Sequence, residues 1–534
     1  MVVMLTAVTG EAAAKKQRII YIPHDNRPIS FEQTISSIKG MEFEVLTPPE
    51  ELLGNRTYGG DPDGLWRWLF KTTVKSFTDK DNEVEDYIVM SSDSMIYGSL
   101  VASRKHEFSD ETILRRVDNF KALRKFNPNA KIYVFSSIMR SPKVSHGGVE
   151  PNYYEEFGPA IFEITSLRDK AEIDGLNNID IERLNKLQSE MPNAFINDWL
   201  RRRQKNFGVN VKLIEYAKEN VFDYLALGRD DNAVYSQTSK ENRELSKLTL
   251  NLSTEKFRSL AGVDEMGLIL LTRAVNKIKQ LTPRVYVQYG YGVGGATIPT
   301  YSDSEISKSI NDHILAAGGK EIYLPNNIDL VLMVNTNEYG ITRDASSLMN
   351  IPIDNKNIIE FVDKVSKFIG HGYKVAIADI TFSNGSDNDL MAQLEKRDLL
   401  TKLTAYSGWN TADNSAGFVI GQSLLSPNLS TDKIKELLVL RLIDDWGYQA
   451  NVRQQLVKEV LTPENISYVD LNGKESILEQ NANKRIYKFI SKHLWRFDIK
   501  TAKLSFPWKR MFEVKVDVSL NYANQSLLYK TKGW

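Results

Sequence analysis

Short apolar runs rich in β-branched residues recur along the chain, and the longer segments between them place apolar residues at helical spacing. Nine of these runs predict β-strands, at residues 18–23, 43–47, 87–91, 132–136, 222–227, 284–288, 330–335, 374–378 and 403–407. Continuous apolar runs separated by helices are typical of parallel sheets that are covered on both faces. The pattern therefore predicts an α/β fold.

The same alternation of strands and helices is compatible with two architectures. Nine strands are close to the eight of a (β/α)-barrel, but an open doubly wound sheet has the same pattern. Polar residues follow nearly every predicted strand, whereas a single open sheet concentrates its site at one switch point. We therefore expect a (β/α)-barrel-like parallel sheet.

The character of the pattern changes in two places. Residues 150–220 are largely helical and too long for an ordinary crossover, which indicates an insertion. Residues 512–520 alternate strictly between apolar and polar, as in a half-exposed antiparallel strand. The expected organisation is a signal remnant or disordered tail (1–17), an α/β catalytic domain with the long helical insertion (18–430) and a small C-terminal α+β appendage (431–534).

The composition of the chain excludes several kinds of partner and site. Lys and Arg together number 68, as do Asp and Glu, so the net charge is zero and nucleic acid is not an expected partner. The chain has no cysteine, which excludes disulfides, thiolate metal sites and a cysteine nucleophile. No apolar stretch after residue 17 is long enough to predict a membrane span.

The first 17 residues bear on localisation. A short apolar run ends in Ala12-Ala13-Ala14, which resembles the small-residue end of an export signal. The charged start of such a signal is missing, and Glu11 lies where the cleavage region would begin. We expect an exported protein, extracellular or on the cell surface, with a cytoplasmic location as the alternative.

The first polar cluster follows the predicted strand at 222–227 and contains adjacent aspartates, Asp230 and Asp231, before Asn232. Two carboxylates held close together raise the pKa of one, so that one carries a proton while its neighbour stays ionised, as acid–base catalysis requires. Adjacent side chains on a strand point in opposite directions, so both face one ligand only if the chain bends there. We expect Asp230 and Asp231 to be catalytic and Asn232 to bind substrate, with a helix N-cap as the alternative.

Polar clusters after four further predicted strands supply candidate substrate-binding residues. Asn384-Gly385 favours a tight turn that returns Asp387 to the same end of the sheet as Asp379; a turn without a binding role is the alternative. Trp409 beside Asn410 is typical of sugar sites, because the ring stacks on a sugar and the amide binds hydroxyls; a core tryptophan is the alternative. The candidates are Asp25, Asn26, Arg27, Asp93, Asp379, Asn384, Asp387, Trp409 and Asn410.

Other chemistries have less support. The six histidines are scattered without the paired spacing of a zinc site, and the Gly-rich stretch 290–295 lacks the spacing of a nucleotide fingerprint. In the stretch 262–265, the N-cap of a following helix explains Asp264. We therefore expect no cofactor and no metal site.

Several phrases of the sequence resemble a bacterial family of unknown function, numbered 4127. They are YIPHDNRP (21–28), SSDSMIYGSLVASR (91–104), LGRDDNAVY (227–235), GVDEMG (262–267), ADITFSNGSDNDL (378–390), YSGWNTADNSAG (406–417) and RLIDDWGYQANVR (441–453). The resemblance extends over nearly the whole chain from residue 18. It implies a family assignment without a mechanism.

A weaker resemblance is to retaining hexosaminidases that use substrate assistance. Those enzymes are similar in having a (β/α)-barrel and an Asp-Asp pair after a central strand. By this resemblance, Asp230 would hold the acetamido group of the substrate and Asp231 would donate the proton. Glu265 or Asp379 could instead supply a carboxylate for ordinary two-carboxylate hydrolysis.

The sequence therefore predicts a carbohydrate-active hydrolase whose partner is a small carbohydrate or a glycan. One alternative is a non-catalytic glycan or cell-wall binding protein that uses the same pocket. The other is a metal-dependent enzyme on a phosphorylated substrate, which would need Arg27 or Arg104.

Overall fold

Strands and helices alternate along most of the described chain. The computed structural model describes residues 16–73, 84–145 and 147–521. Within them the strands are β1 (Lys16–Ile22), β2 (Glu44–Leu46), β3 (Val84–Ser91), β4 (Lys131–Ile138), β5 (Tyr224–Arg229), β6 (Phe257–Ala261), β7 (Arg284–Tyr289), β8 (Lys320–Ile322), β9 (Leu330–Asn335), β10 (Arg343–Asp344), β11 (Val375–Asp379), β12 (Phe382–Ser383), β13 (Ala405–Ser407), β14 (Ile499–Ser505) and β15 (Lys515–Leu520).

Two parallel sheets form the framework. The first has six strands in the order β2-β1-β3-β4-β5-β6, and the second has five in the order β13-β11-β9-β7-β8. Numbered within each sheet, both follow the order 2-1-3-4-5, to which the first sheet adds one strand. In this order the second strand lies on one side of the first strand and the later strands lie on the other side. Each sheet therefore has a switch point, which lies between β1 and β3 in the first sheet and between β7 and β9 in the second.

Helices cover both sheets, because the connections between parallel strands must cross a sheet face. Their bounds are α1 (Glu32–Ser36), α2 (Pro62–Thr73), α3 (Ser92–Tyr97), α4 (Ala102–Lys105), α5 (Asp110–Phe126), α6 (Tyr154–Ile173), α7 (Asn178–Glu190), α8 (Asn193–Lys218), α9 (Gln237–Leu248), α10 (Met266–Ile278), α11 (Ile306–Ala316), α12 (Lys356–Gly370), α13 (Asn388–Lys396), α14 (Ala412–Leu425), α15 (Thr431–Arg441), α16 (Arg453–Leu456) and α17 (Glu475–His493). The segments Leu442–Val452 and Val457–Leu461 are π-helical.

Two buried helices join the sheets. Helix α10 packs on β1, β3 and β4, α14 packs on β9, β11 and β13, and the two helices pack against each other. A Cβ atom at Gly417 would collide with Glu265, and one at Gly421 would lie 2.7 Å from Cγ of Leu268. These glycines let the helices approach closely, and one apolar core extends across both sheets.

Two further segments lie outside the two sheets. Helices α6, α7 and α8 lie between β4 and β5, in the part of the chain for which a helical insertion was expected. The C-terminal segment contains α17 and the antiparallel pair β14–β15, and its apolar residues share a core with β9 and β11.

The α/β fold with parallel strands is confirmed, as are all nine predicted strands and the C-terminal antiparallel strand. The nine predicted strands lie in two sheets, and closure into a single barrel is not confirmed among the described residues. Polar residues follow so many strands because two open sheets, each with its own switch point, face a common region. The expected N-terminal tail lies outside the described residues except for Lys16 and Gln17, which begin β1.

Candidate functional site

A cavity of about 280 Å³ lies where the carboxyl ends of both sheets meet the C-terminal segment. Its walls take residues from the segments that follow β1, β3, β4, β5, β6, β7, β12 and β13. Valine and aromatic side chains, among them Val101, Val149 and Phe512, supply the apolar part of the lining. The charged residues of the lining are Arg27, Arg104, Arg140, Arg510, Asp230, Asp231, Asp264 and Glu513.

Asp230 and Asp231 both line this cavity. They directly follow β5, and Asp231 has a positive φ of 28°. This conformation is uncommon for residues other than glycine, and aspartate is among the residues that adopt it most readily. It supplies the bend that lets two adjacent side chains face one space.

Each of the two aspartates is paired with an arginine. Arg104 donates to Oδ2 of Asp230, and Nη1 of Arg140 lies 2.5 Å from Oδ2 of Asp231. Both arginines also contact Oε1 of the buried Glu150, at 3.4 Å and 2.6 Å respectively. The Glu150 carboxylate therefore fixes the spacing of the two guanidinium groups, and through them the positions of Asp230 and Asp231.

The environment of Asp231 favours its protonated form. Burial and the negative charge of Asp230 raise the pKa of Asp231 to about 6, against the opposing charges of Arg140 and Arg104. Burial and the nearby Arg140 lower the pKa of Arg104, although Asp230 and Glu150 counteract them. Asp231 consequently retains a proton in weakly acidic solution.

Arg27, which follows β1, is held by two carboxylates. Its Nε donates to Oδ1 of Asp25 at 2.9 Å, and its Nη2 donates to Oδ1 of Asp264 at 2.7 Å. Burial raises the pKa of Asp264, and the charge of Arg27 opposes that effect. Oδ2 of Asp264 also accepts from the amide of Asn410 at 3.2 Å.

This arrangement corrects the expectation that Asp264 caps a helix. Glu265 occupies the N-cap position of α10, and no side chain makes a capping hydrogen bond there. Asp264 instead connects the first sheet, through Arg27, to the second sheet, through Asn410.

The C-terminal segment forms one wall of the cavity. The indole Nε1 of Trp508 donates to Oδ1 of Asn26 at 2.9 Å. The guanidinium carbons of Arg27 and Arg510 lie 5.4 Å and 5.3 Å from the centre of the Trp508 ring. Arg510 in turn pairs with Glu513. A buried tryptophan between two cations thus fastens this segment to the loop after β1.

The second sheet contributes two asparagines to the lining. Asn384 and Asn410 both have a φ of 60°, and the backbone N–H of Asn384 donates to the carbonyl of Asn410 at 2.8 Å. The Asn384 amide donates to Asp344 at 2.7 Å. Asparagine is enriched in this left-handed conformation, which accounts for its presence at both turns.

Asp93 and His24 lie beneath the lining. Oδ1 and Oδ2 of Asp93 accept from the hydroxyl and the backbone N–H of Ser137, each at 3.0 Å. Burial raises the pKa of Asp93 to about 7, and burial together with Arg27 lowers the pKa of His24 to about 3. Asp93, which was predicted to bind substrate, therefore lies behind Asp230 and Arg104.

Asp379 and Asp387 form a separate buried cluster at the end of β11. Oδ2 of Asp379 accepts from Tyr406 and from the backbone N–H of Asp387, both at 2.7 Å, and Asn335 donates to both carboxylates. Burial raises the pKa of Asp379 to about 7 and that of Asp387 to about 6. Asp387 also caps α13.

Trp409 is a core residue. Its exposed fraction is 2%, and its ring packs 5.7 Å from Phe418 and 5.8 Å from Phe512. The expectation of an exposed ring for sugar stacking is wrong, because α14 and the C-terminal segment cover both sides of the side chain. Trp508, which the sequence did not single out, is the tryptophan in the cavity wall.

Of the predicted site residues, five line the cavity and seven lie outside its lining. Those in the lining are Arg27, Asp230, Asp231, Asn384 and Asn410. Asn232 accepts hydrogen bonds from Ser236 and Ser239 near the start of α9. The others outside the lining are Asp25, Asn26, Asp93, Asp379, Asp387 and Trp409.

Arg140 lies four positions after the predicted strand at 132–136, so a search for polar residues after every predicted strand would have included it. Arg510 and Glu513 follow no strand of the parallel sheets, and no local signal marked them.

No group of three or more histidine, cysteine, aspartate or glutamate side chains within the described ranges is arranged to hold a metal ion. In the same part of the chain, no helix is both long enough and apolar enough to cross a bilayer.

Comparison with known proteins gives one match. No curated protein and no solved structure matches the chain. A family model described as "Protein of unknown function (DUF4127)" matches residues 19–517. This range includes both sheets, the whole charged lining of the cavity and most of the C-terminal segment, so the chain belongs to the DUF4127 family.

Proposed function

We propose that the protein is a glycoside hydrolase in which Asp231 is the general acid and Asp230 binds the acetamido group of the substrate. The observation that carries the proposal is that two adjacent aspartates, each paired with an arginine, line one cavity. Burial and the charge of Asp230 raise the pKa of Asp231 to about 6. A carboxyl group that keeps its proton beside a second acidic side chain is an arrangement that acid-catalysed glycoside cleavage uses.

In the proposed reaction the Asp231 proton moves to the glycosidic oxygen as the bond from that oxygen to the anomeric carbon breaks. Asp230 accepts the N–H of a substrate acetamido group, and the carbonyl oxygen of that group bonds to the anomeric carbon. Water then attacks the same carbon, displaces the acetamido oxygen and returns a proton to Asp231. These roles rest on the resemblance to substrate-assisted hexosaminidases.

The lining of the cavity supports a sugar-sized substrate. Amides of Asn384 and Asn410 and the hydroxyl of Tyr301 can bind sugar hydroxyls, and apolar side chains flank them. The arginines of the lining are matched by carboxylates, so the cavity does not require an anionic ligand.

A panel of aryl glycosides, including N-acetylhexosaminides, and natural glycans tests the proposal. We expect wild-type protein to hydrolyse at least one substrate and Asp231→Asn to lose about 10²–10⁴-fold in kcat, the usual contribution of a general acid. Asp432→Asn, an exposed site in α15, is the matched control and should retain full activity.

Three outcomes would replace the proposal. Absence of turnover across the panel would exclude it. Tight glycan binding that persists in Asp231→Asn, without wild-type turnover, would indicate a binding protein. Activity that EDTA abolishes and that requires Arg27 or Arg104 would indicate a metal-dependent enzyme on a phosphorylated substrate.

A further inference from the structure

A tyrosine in the lining of the cavity, Tyr301, has an unusual backbone conformation. Its φ is 71°, in the left-handed region that bulky residues rarely adopt. Thirteen of the described residues other than glycine have a positive φ; ten of them are asparagine or aspartate, and Tyr301 is the only aromatic one. An asparagine would fit this turn with less strain, so the stability of the turn does not account for the tyrosine.

The left-handed residues are concentrated at the cavity. Four of the thirteen, Asp231, Tyr301, Asn384 and Asn410, belong to its lining of twenty residues. Strained backbone conformations persist at functional sites, where the surrounding structure holds them. The other three are of the types that adopt this conformation readily, so Tyr301 is the one whose residue type requires a functional explanation.

The backbone around Tyr301 is fixed by hydrogen bonds. The carbonyl of Tyr301 accepts from the backbone N–H of Asn232, the residue after Asp231, at 3.0 Å. The next residue, Ser302, is buried, and its backbone N–H donates to the carbonyl of Pro299 at 3.1 Å. The loop after β7 therefore holds Tyr301 beside the aspartate pair.

The side chain of Tyr301 is available to a ligand. Tyr301 is 43% exposed, whereas Trp508 in the cavity wall is 3% exposed. None of the described residues forms a hydrogen bond with the Tyr301 hydroxyl. Burial and the negative charges of Asp231 and Asp344 raise the pKa of Tyr301, so the hydroxyl stays uncharged at neutral pH. The lining thus contains an exposed, uncharged aromatic ring next to the candidate general acid.

We propose that Tyr301 is a substrate-binding residue whose ring stacks on a sugar ring of the glycan beside Asp231. The inference rests on the proposed function and adds to it the side chain that orients the substrate. An aromatic ring packs against the apolar C–H face of a sugar, and this contact is most effective when the ring is held in place before the substrate binds. The fixed, left-handed turn holds the ring in this way.

Tyr301→Asn and Tyr301→Phe test the proposal, with the natural glycan that wild-type protein cleaves fastest as the substrate. Asparagine suits the left-handed turn and removes the ring, so KM should rise about tenfold while the temperature of unfolding stays at or above the wild-type value. Phenylalanine keeps the ring, so KM should stay near the wild-type value. Tyr339→Asn, at an exposed tyrosine outside the lining, is the matched control and should leave KM unchanged.

Three outcomes would overturn the inference and leave the proposed function intact. The first is an unchanged KM in Tyr301→Asn. The second is a KM that rises as much in Tyr301→Phe as in Tyr301→Asn, because the hydroxyl and not the ring would then bind substrate. The third is a lower temperature of unfolding in Tyr301→Asn, because the ring would then stabilise the fold.

The same variants separate this inference from the proposed function. If wild-type protein binds a natural glycan without cleaving it, the proposed function fails, and the Kd for that glycan takes the place of KM in the comparison. A Kd that rises about tenfold in Tyr301→Asn and stays near the wild-type value in Tyr301→Phe would then support the role of the ring. Absence of both cleavage and binding of natural glycans would overturn the inference.

Discussion

Nη2 of Arg27 donates to Oδ1 of Asp264 at 2.7 Å, which connects residues 237 positions apart in the chain. The contact ties the loop after β1 to the loop after β6, the edge strand of the same sheet. Asp264 also accepts from Asn410 of the second sheet. One guanidinium group thus fixes the geometry of three loops around the candidate catalytic pair.

Arg27→Lys tests this role. A lysine presents one ammonium group and cannot bridge Asp25 and Asp264 in the planar geometry of a guanidinium. We expect kcat/KM to fall by about 10–100-fold, or about 1.4–2.7 kcal/mol. Arg183→Lys, at an exposed pair with Glu163, is the control. Unchanged kcat/KM in Arg27→Lys would contradict the assigned role.

The pH profile tests the protonation of Asp231. A general acid must be protonated, so kcat/KM should be highest below about pH 6 and fall about tenfold per pH unit above it. Arg140 lowers the pKa of Asp231, so Arg140→Met should move this limb to higher pH. A limb that stays in place or moves to lower pH would show that another group controls the rate.

Substitutions of two tryptophans distinguish the cavity wall from the core. Trp508→Phe removes the hydrogen bond to Asn26 and weakens the cation–π contacts with Arg27 and Arg510, so we expect KM to rise. Trp409→Phe should lower the temperature of unfolding and leave KM unchanged, because the side chain is buried between Phe418 and Phe512. Steady-state kinetics and thermal unfolding of both variants make the comparison. A raised KM in Trp409→Phe together with an unchanged KM in Trp508→Phe would show that Trp409 belongs to the site.

Asp379 should make stability depend on pH. Its pKa is raised to about 7 in the folded protein, whereas an aspartate of an unfolded chain titrates near about 3.9. Between these values the folded state keeps a proton that the unfolded state has lost. The contribution of Asp379 to the free energy of unfolding is therefore fully present below about pH 4, decreases as pH rises and levels off above about pH 7.

Asp379→Asn removes that titration. Urea unfolding at about pH 5 and about pH 8 should show a smaller loss of stability with pH in Asp379→Asn than in wild-type protein. Asp432→Asn should keep the wild-type dependence. An identical dependence in all three proteins would mean that Asp379 titrates normally.

Much of the fold follows from local patterns. The strand β9, with six consecutive buried residues, has the continuous apolar run that the sequence showed at 330–335. Local patterns do not predict which strands pair, because pairing depends on contacts between distant segments. Gly417 lets α10 and α14 approach closely. Its sequence context did not predict that these two helices join two sheets.

The candidate site could also be predicted only in part. Asp230 and Asp231 were found because strand ends meet at one edge of a sheet, and the positive φ of Asp231 supplies the bend that shared access requires. Trp409 and Trp508 could not be separated by residue type, since either can stack on a sugar or fill a core. Only the packing of Phe418 and Phe512 decides between them.

The repeated strand order has a consequence for how the protein assembles. Each sheet is built from one continuous stretch of chain, residues 16–261 and residues 284–407, so each can form its strand pairs without the other. The cavity also needs Trp508 and Arg510, which follow both sheets in sequence. Acquisition of ligand binding during refolding therefore requires all three stretches of the chain to come together, whereas circular dichroism reports only the formation of sheets and helices.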